Sequence, residues 1–121
     1  MGLITFYYIC MVVTYTNRKI EKEATDLKKL FAAYNVFGKK IKQRLDDFKA
    51  AENLAVIGMI PGTRCHELSV DSKTIALAVN ISGNRRMIFE PIKPYPKKED
   101  GGLDWSQVTE ICIQALCEDY H

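Results

Sequence analysis

The segment 75–92, IALAVNISGNRRMIFEPI, carries the clearest fold signal in this sequence. Residues 75–80 and 86–92 are two apolar runs that contain the β-branched and aromatic side chains favoured in strands. Between them stands Ser82-Gly83-Asn84, and Gly and Asn between two such runs are typical of a β-hairpin. The segment therefore predicts two neighbouring strands.

Further strands are predicted on both sides of this hairpin. Residues 63–68 and 108–117 have a similar apolar character and predict one strand each. The apolar residues 1–13 predict a first strand, and they are too few to cross a bilayer. They also lack the charged start of a signal peptide. Met11 is an alternative start of the protein, in which case residues 1–10 are an upstream extension.

Helices are predicted between the first strand and the others. The first is expected to begin at Thr16 or Asn17, good N-cap residues, and to stop at Gly38. A second is predicted over residues 39–51, and a short helical turn over 53–60. The expected inward positions are Ile20, Ala24, Leu27, Phe31, Tyr34, Ile41, Leu45 and Phe48, and the expected outward ones are Lys39, Lys40, Lys42, Arg44 and Lys49.

The order β-α-α-β-β-β-β indicates an α+β fold, with an antiparallel sheet and an N-terminal helical hairpin packed on one face. The chain of 121 residues is expected to form a single domain, residues 1–121. Residues 1–51 contain ten Lys and Arg against five Asp and Glu, whereas residues 52–121 contain seven against ten. The basic helical half would suit a phosphate-bearing partner such as RNA or a ribosome surface, although a merely solvated lysine-rich face is the simpler alternative.

The four cysteines, at positions 10, 65, 112 and 117, form no CxxC pair. They are interpreted as reduced thiols of a cytoplasmic protein. Neither a zinc site nor a disulfide framework is predicted.

The candidate chemistry lies in the two histidines, His66 and His121, and in the residues beside them. The chain closes with Asp119-Tyr120-His121, which offers a carboxylate, a phenol and an imidazole. If the fold brings the two imidazoles together, they supply an acid and a base for phosphodiester chemistry. The alternatives are an inert terminal histidine, a structural His66, and an Arg86 that only closes an ion pair with Glu90 or Glu110.

Several short strings occur in a fixed order over residues 62–121. They are Arg64-Cys65-His66-Glu67-Leu68, Ala76-Leu77-Ala78-Val79, Arg86-Met87-Ile88-Phe89-Glu90-Pro91, Gly101-Gly102-Leu103-Asp104-Trp105 and the closing Asp119-Tyr120-His121. This order resembles the HigB-like killer proteins of the RelE/ParE toxin superfamily, from bacterial type II toxin–antitoxin systems. The resemblance implies a RelE-like domain that cleaves mRNA on the ribosome without a metal or cofactor.

The resemblance also implies partners and residue roles. The partners would be the ribosome, its mRNA and a co-encoded helix-turn-helix (HigA-like) antitoxin, with operator DNA bound only through the antitoxin complex. His66 and His121 match the proton-transfer pair, and Arg86 matches the arginine that holds the scissile phosphate. Asp119 is expected to orient His121, and Tyr120 to stack on a base or bind the phosphate.

The sequence departs from the family pattern in the loop after His66. Ser69 stands where the family has a phosphate-binding lysine, whereas Lys73 matches a second family lysine and Arg85 is an extra cation. Lys73 and Arg85 are therefore expected to bind RNA phosphates in its place. The departure leaves two alternatives open: a ParE-like gyrase poison, which the histidine pair argues against, and a catalytically inactive antitoxin-binding or operator-binding partner.

Overall fold

The computed structural model describes residues 10–68 and 73–119. Within these residues, the strands are β1 (Val12–Tyr15), β2 (His66–Leu68), β3 (Ala76–Ser82), β4 (Arg85–Pro91) and β5 (Glu110–Asp119). They form one five-stranded sheet in the order β1-β5-β4-β3-β2. The predicted α+β class is confirmed, and the part of the predicted first strand in residues 1–9 lies outside the described residues.

The predicted antiparallel sheet is correct for three of its four strand pairs. β2–β3, β3–β4 and β4–β5 are antiparallel, whereas β1 pairs with β5 in parallel. A parallel pair requires a long crossover, and here that crossover is most of the chain. The result is a mixed sheet in which the first strand lies at the edge beside the last.

The predicted hairpin is confirmed. β3 ends at Ser82 and β4 begins at Arg85, so Gly83 and Asn84 form the turn. Gly83 has a φ of +51°, a conformation that glycine adopts without the steric cost of a side chain.

The helices are α1 (Arg18–Thr25), α2 (Leu27–Tyr34), α3 (Gly38–Ala50) and α4 (Leu54–Met59). The single helix predicted from Thr16 or Asn17 to Gly38 is wrong, because it breaks at Asp26. The backbone of Asp26 is extended, and its carboxylate accepts hydrogen bonds from the backbone N–H groups of Lys28 and Lys29. Asp competes for helix N–H groups in this way, which favours a new helix start.

Gly38 does not stop a helix as predicted. α2 ends at Tyr34, with Asn35 as its C-cap at a φ of +49°, and a short 3-10 turn over Asn35–Phe37 leads into α3, which begins at Gly38. The predicted short helical turn over 53–60 is confirmed as α4, and the Asn53 side chain caps it by accepting from the Val56 N–H.

The main core lies between the helices and one face of the sheet. Phe48 of α3 meets Phe89 of β4 edge to face, with ring centroids 4.9 Å apart. Ile41, Leu45 and Phe48 are buried as predicted. The larger fully buried side chains are Phe48, Phe89, Leu30, Ile41, Leu45, Leu54, Ile57, Leu77, Ile81, Met87, Ile111 and Ile113.

The predicted inward stripe of the first helix is partly wrong. Leu27 is 52% exposed and Phe31 is 43% exposed, whereas Leu30 is fully buried. Because the break at Asp26 interrupts the helix, α2 does not continue the apolar face of α1 in the same phase. No helix in residues 10–68 and 73–119 is long and apolar enough to span a membrane.

The opposite face of the sheet carries a smaller cluster of Ala76, Ala78 and Ile88, against which Leu68 and Ala115 pack. Residues directly paired across strands share a face of the sheet. His66 pairs with Ala78, and Arg86 pairs with Asn80, so His66 and Arg86 belong to the face opposite the main core.

Candidate active site

A cleft of about 290 Å³ lies at the turn end of the β3–β4 hairpin. Its charged and polar lining residues are Arg64, His66, Asn80, Asn84, Arg85 and Arg86. The cleft thus brings together three arginines and one imidazole, and no described carboxylate lines it. Such a set favours an anionic ligand, since guanidinium groups bind phosphate and carboxylate oxygens in pairs.

His66 has a defined hydrogen bond on one ring nitrogen. Its Nδ1 lies 2.7 Å from the carbonyl oxygen of Arg64. A carbonyl can only accept, so Nδ1 carries the hydrogen and Nε2 of the neutral ring keeps its lone pair. The side chain is exposed, and Nε2 is therefore available to take or return a proton.

The turn before β2 positions that carbonyl. Arg64 has a φ of +46°, a left-handed conformation that is uncommon for a residue other than glycine. The Thr63 hydroxyl donates to the Ile57 and Ile60 carbonyls at 3.0 and 2.9 Å, and the Thr63 carbonyl accepts from the Asn80 N–H at 2.7 Å. These bonds hold the turn in place, and the positive φ of Arg64 is the reason that the strand predicted from residue 63 begins only at His66.

Arg44 of α3 binds backbone carbonyl groups of the segments that border the cleft. It is only 4% exposed, so its predicted outward orientation is wrong. Its Nε donates to the Asn80 carbonyl at 2.8 Å and its Nη2 to the Gly62 carbonyl at 3.0 Å, while Nη1 lies 3.3 Å from an Asp47 carboxylate oxygen. A buried guanidinium is stable here because its donors satisfy backbone oxygens and its charge is paired.

Arg85 connects the cleft with the end of β5 and with the helices. Its guanidinium carbon lies 5.2 Å from the centre of the Phe37 ring, a cation–π contact. Its Nη2 is 3.8 Å from Asp119 Oδ2, and the two residues are paired in the sheet register. Asp119 is thus placed beside Arg85 at the end of β5.

Arg86 lies in the middle of three strands. Its register partners are Asn80 on β3 and Glu118 on β5, and its Nε is buried. The register neighbour of Arg86 on β5 is therefore Glu118, whereas Glu110 pairs with Val12 at the other end of that strand.

The structure brings His66, Arg85 and Arg86 into one cleft, as the sequence-based hypothesis requires. Lys73 is exposed and does not line it. Ser69, Tyr120 and His121 lie outside the described residues. Of the predicted imidazole pair, the structure therefore describes His66 and not His121.

Sequence reasoning missed Arg64, Asn80, Asn84 and Arg44. One signal was present for Arg64, because a residue two positions before His66 would share its face in an extended chain. Asn80, Asn84 and Arg44 gave no such signal, since their places depend on strand register and on distant carbonyl groups.

The neighbouring cysteines do not add a nucleophile. Burial, with a smaller effect of Glu67, raises the pKa of the Cys65 thiol to about 12, so the thiol stays protonated near neutrality. Burial also raises the pKa of Cys117, partly offset by the Arg85 guanidinium. All four cysteines are free, and residues 10–68 and 73–119 contain no group of three or more side chains arranged to hold a metal ion.

Trp105 lies away from the cleft. Its Nε1 donates to Glu67 Oε2 at 3.1 Å, and its ring lies against Gly58 of α4. These contacts anchor the long loop between β4 and β5.

No family model, curated protein or solved structure matches this chain.

Proposed function

We propose that this protein is the toxin of a type II toxin–antitoxin system, with a RelE-like fold similar to the HigB-like killer proteins. In this proposal it is a ribosome-dependent endoribonuclease that cleaves mRNA without a metal ion. The observation that carries the proposal is the grouping of His66 with Arg64, Arg85 and Arg86 in one cleft. A proton-transfer group beside three cations is what cleavage of an RNA phosphodiester requires.

The proposed reaction begins at the ribose 2′-OH. A base removes its proton, the 2′ oxygen forms a bond to the adjacent phosphorus, and the bond from phosphorus to the 5′ oxygen breaks. An acid returns a proton to that 5′ oxygen, which leaves a 2′,3′-cyclic phosphate on one product and a 5′-hydroxyl on the other. General acid–base catalysis of this kind is typically worth about 10²- to 10⁴-fold in rate.

His66 and His121 are the proposed acid–base pair. Nε2 of His66 is the atom in position to exchange the proton, since Nδ1 is committed to the Arg64 carbonyl. His121 would supply the second group, with Asp119 and Tyr120 beside it in sequence.

The arginines would carry the charge of the reaction. Arg86, in the middle of the sheet, is assigned to the scissile phosphate, whose negative charge grows in the transition state. Arg64 and Arg85 would bind flanking phosphates. Together they compensate for Ser69, which stands where the family loop has a lysine.

The proposal includes a cytoplasmic location and a cognate helix-turn-helix (HigA-like) antitoxin. Operator DNA would be bound only through the complex with that antitoxin. The other partners are the ribosome and the mRNA that it carries.

The direct test is cleavage of a defined mRNA on purified ribosomes in the presence of EDTA, with the cut sites read by primer extension. We expect cuts that persist in EDTA and are reduced at least about 100-fold by His66→Ala and by Arg86→Ala. Arg18→Ala is the matched control, because Arg18 is an exposed arginine at the start of α1, outside the cleft. It should cleave as the wild type does.

Absence of cleavage by the wild-type protein would contradict the nuclease proposal. A DNA supercoiling assay with gyrase would then separate a ParE-like poison from a catalytically inactive antitoxin-binding partner.

A further inference from the structure

A second concave surface lies directly beside the cleft, on the helical side of the hairpin. This basic groove has a volume of about 500 Å³, and its lining includes Val36, Phe37, Lys39, Lys40, Gln43 and Ser82. It is formed where the first turn of α3 approaches the end of β3. The reaction proposed above makes no use of it.

The basic groove carries positive charge that the described part of the protein does not neutralise. Among the described residues, neither Lys39 nor Lys40 forms a salt bridge, and Lys40 Nζ contacts only the neutral Gln43 side chain, at 3.3 Å. By contrast, Lys42 on the same helix is paired with Asp46 at 2.6 Å. The two cations of the groove are therefore available to an anionic partner.

The groove also offers apolar surface beside its cations. Val36 is 85% exposed, so its side chain is open to a ligand. Phe37 lies beside it and is half-buried. A surface that combines lysines with apolar and aromatic side chains matches a single-stranded nucleic acid, whose backbone needs cations and whose bases need apolar contact.

The basic groove and the cleft are adjacent. Phe37 lines the groove, and the guanidinium that lies over its ring belongs to Arg85, which lines the cleft. Ser82 of the groove is followed directly by Gly83 of the cleft. A chain with its scissile phosphate at Arg86 could therefore continue past Arg85 into the groove.

We infer that the basic groove binds the stretch of single-stranded RNA that continues from the scissile phosphate, with Lys39 and Lys40 on its phosphates and Val36 and Phe37 against a base. This inference rests on the proposed function, because it places the cleaved strand in the cleft. Adjacency to the cleft, through Phe37–Arg85 and Ser82–Gly83, favours RNA over an acidic peptide, which the lysines alone would also attract.

The test compares binding of a short and a longer single-stranded RNA by fluorescence anisotropy over a range of salt concentrations. A dinucleotide fills the cleft alone, whereas a strand of roughly ten nucleotides can also reach the groove. We expect the Lys39→Gln/Lys40→Gln double variant to bind the longer strand about tenfold more weakly and to bind the dinucleotide as the wild type does. The slope of log affinity against log salt should fall by about 1.4 for the longer strand, since each lost phosphate contact removes about 0.7.

Lys42→Gln is the matched control, because it removes a lysine of the same helix that is paired with Asp46 and lies outside the groove lining. An equal loss of affinity in Lys42→Gln would overturn the inference, since it would show a general effect of charge. Equal loss for both RNA lengths, or no loss in the double variant, would overturn it too.

The ribosome assay separates the failure of this inference from the failure of the proposed function. The wild-type protein could cleave mRNA on ribosomes while the Lys39→Gln/Lys40→Gln variant binds the longer RNA as tightly as the wild type does. That pair of results would support the proposed nuclease and refute only RNA binding in the groove. Tight binding of an acidic peptide that is lost in the double variant, without any effect on RNA, would assign the groove to a protein partner and would likewise refute the inference.

Discussion

His66 depends on a single backbone oxygen, the carbonyl of Arg64, for the tautomer that leaves Nε2 free. Arg64 therefore has two separate roles in the proposed site: its backbone orients the imidazole, and its guanidinium lines the cleft. To orient the imidazole in this way, Arg64 adopts a left-handed φ of +46°, which costs conformational free energy.

These two roles can be separated with a pair of substitutions. Arg64→Gly and Arg64→Ala both remove the guanidinium, and each should reduce cleavage about tenfold through the lost charged hydrogen bonds. Arg64→Gly should be more stable than Arg64→Ala by about 1 kcal/mol, because only glycine adopts a positive φ without steric cost. Urea denaturation measures the difference, and equal stabilities would contradict the strained backbone.

The buried Cys65 thiol makes the stability of the folded protein depend on pH in the alkaline range. Its thiol has a pKa raised by burial from the usual 9.0 to about 12, so folding favours the neutral thiol. The stabilisation is complete below about pH 9 and is lost as the pH rises toward 12, because the unfolded chain then binds fewer protons than the folded one.

We expect the free energy of unfolding to fall between about pH 8 and about pH 11, and to fall less steeply in Cys65→Ala. Some alkaline loss should persist in that variant, since burial also raises the pKa of Tyr15 and Tyr34. Urea midpoints at the two pH values measure the effect. Parallel losses in the wild type and in Cys65→Ala would rule out this origin.

At the scale of elements, α3 is the one that joins the helical layer to the candidate site. Through Arg44 it binds the carbonyl of Asn80 on β3 and that of Gly62 before β2. Asn80 lines the cleft, and Gly62 lies two residues before Arg64, which also lines it, so the position of α3 is coupled to the geometry of the cleft.

Arg44→Met should therefore cost about 3 kcal/mol of stability, because it leaves two backbone oxygens and the Asp47 carboxylate without their partner. Arg44→Lys should lose less, since it keeps the charge but not the forked geometry. Lys42→Met removes the exposed pair with Asp46 on the same helix and should cost no more than about 1 kcal/mol. Thermal and urea denaturation would show the contrast, and similar losses for Arg44→Met and Lys42→Met would contradict the bridging role.

Short sequence patterns predicted the elements that depend only on residues close together in the sequence. The β3–β4 hairpin follows from two apolar runs around Gly83, and α4 follows from a short apolar run. The break at Asp26 has a local cause too, but the apolar spacing across it resembled one continuous helix. The buried position of Arg44 depends on carbonyl groups 18 and 36 residues away in sequence, which no helical pattern contains.

At the scale of the whole molecule, the sheet register is what brings the candidate residues together. His66, Asn80 and Arg86 come from β2, β3 and β4, and β3 pairs with both of the other strands. The sequence indicated the residue types and the strands but not this pairing. The parallel placement of β1 was likewise beyond sequence reasoning, because it depends on contacts between the two ends of the described chain.

That parallel pairing has a consequence for the order of assembly during synthesis. β1 precedes the other described strands in the sequence, but its sheet neighbour is β5, with Val12 paired to Glu110, so β1 cannot join the sheet until β5 has been translated. Pairing of such distant segments is intrinsically slow. A nascent chain that stops before β5 leaves β1 without its sheet neighbour and Arg85 without Asp119, so the described sheet can be completed only after β5 has been synthesised.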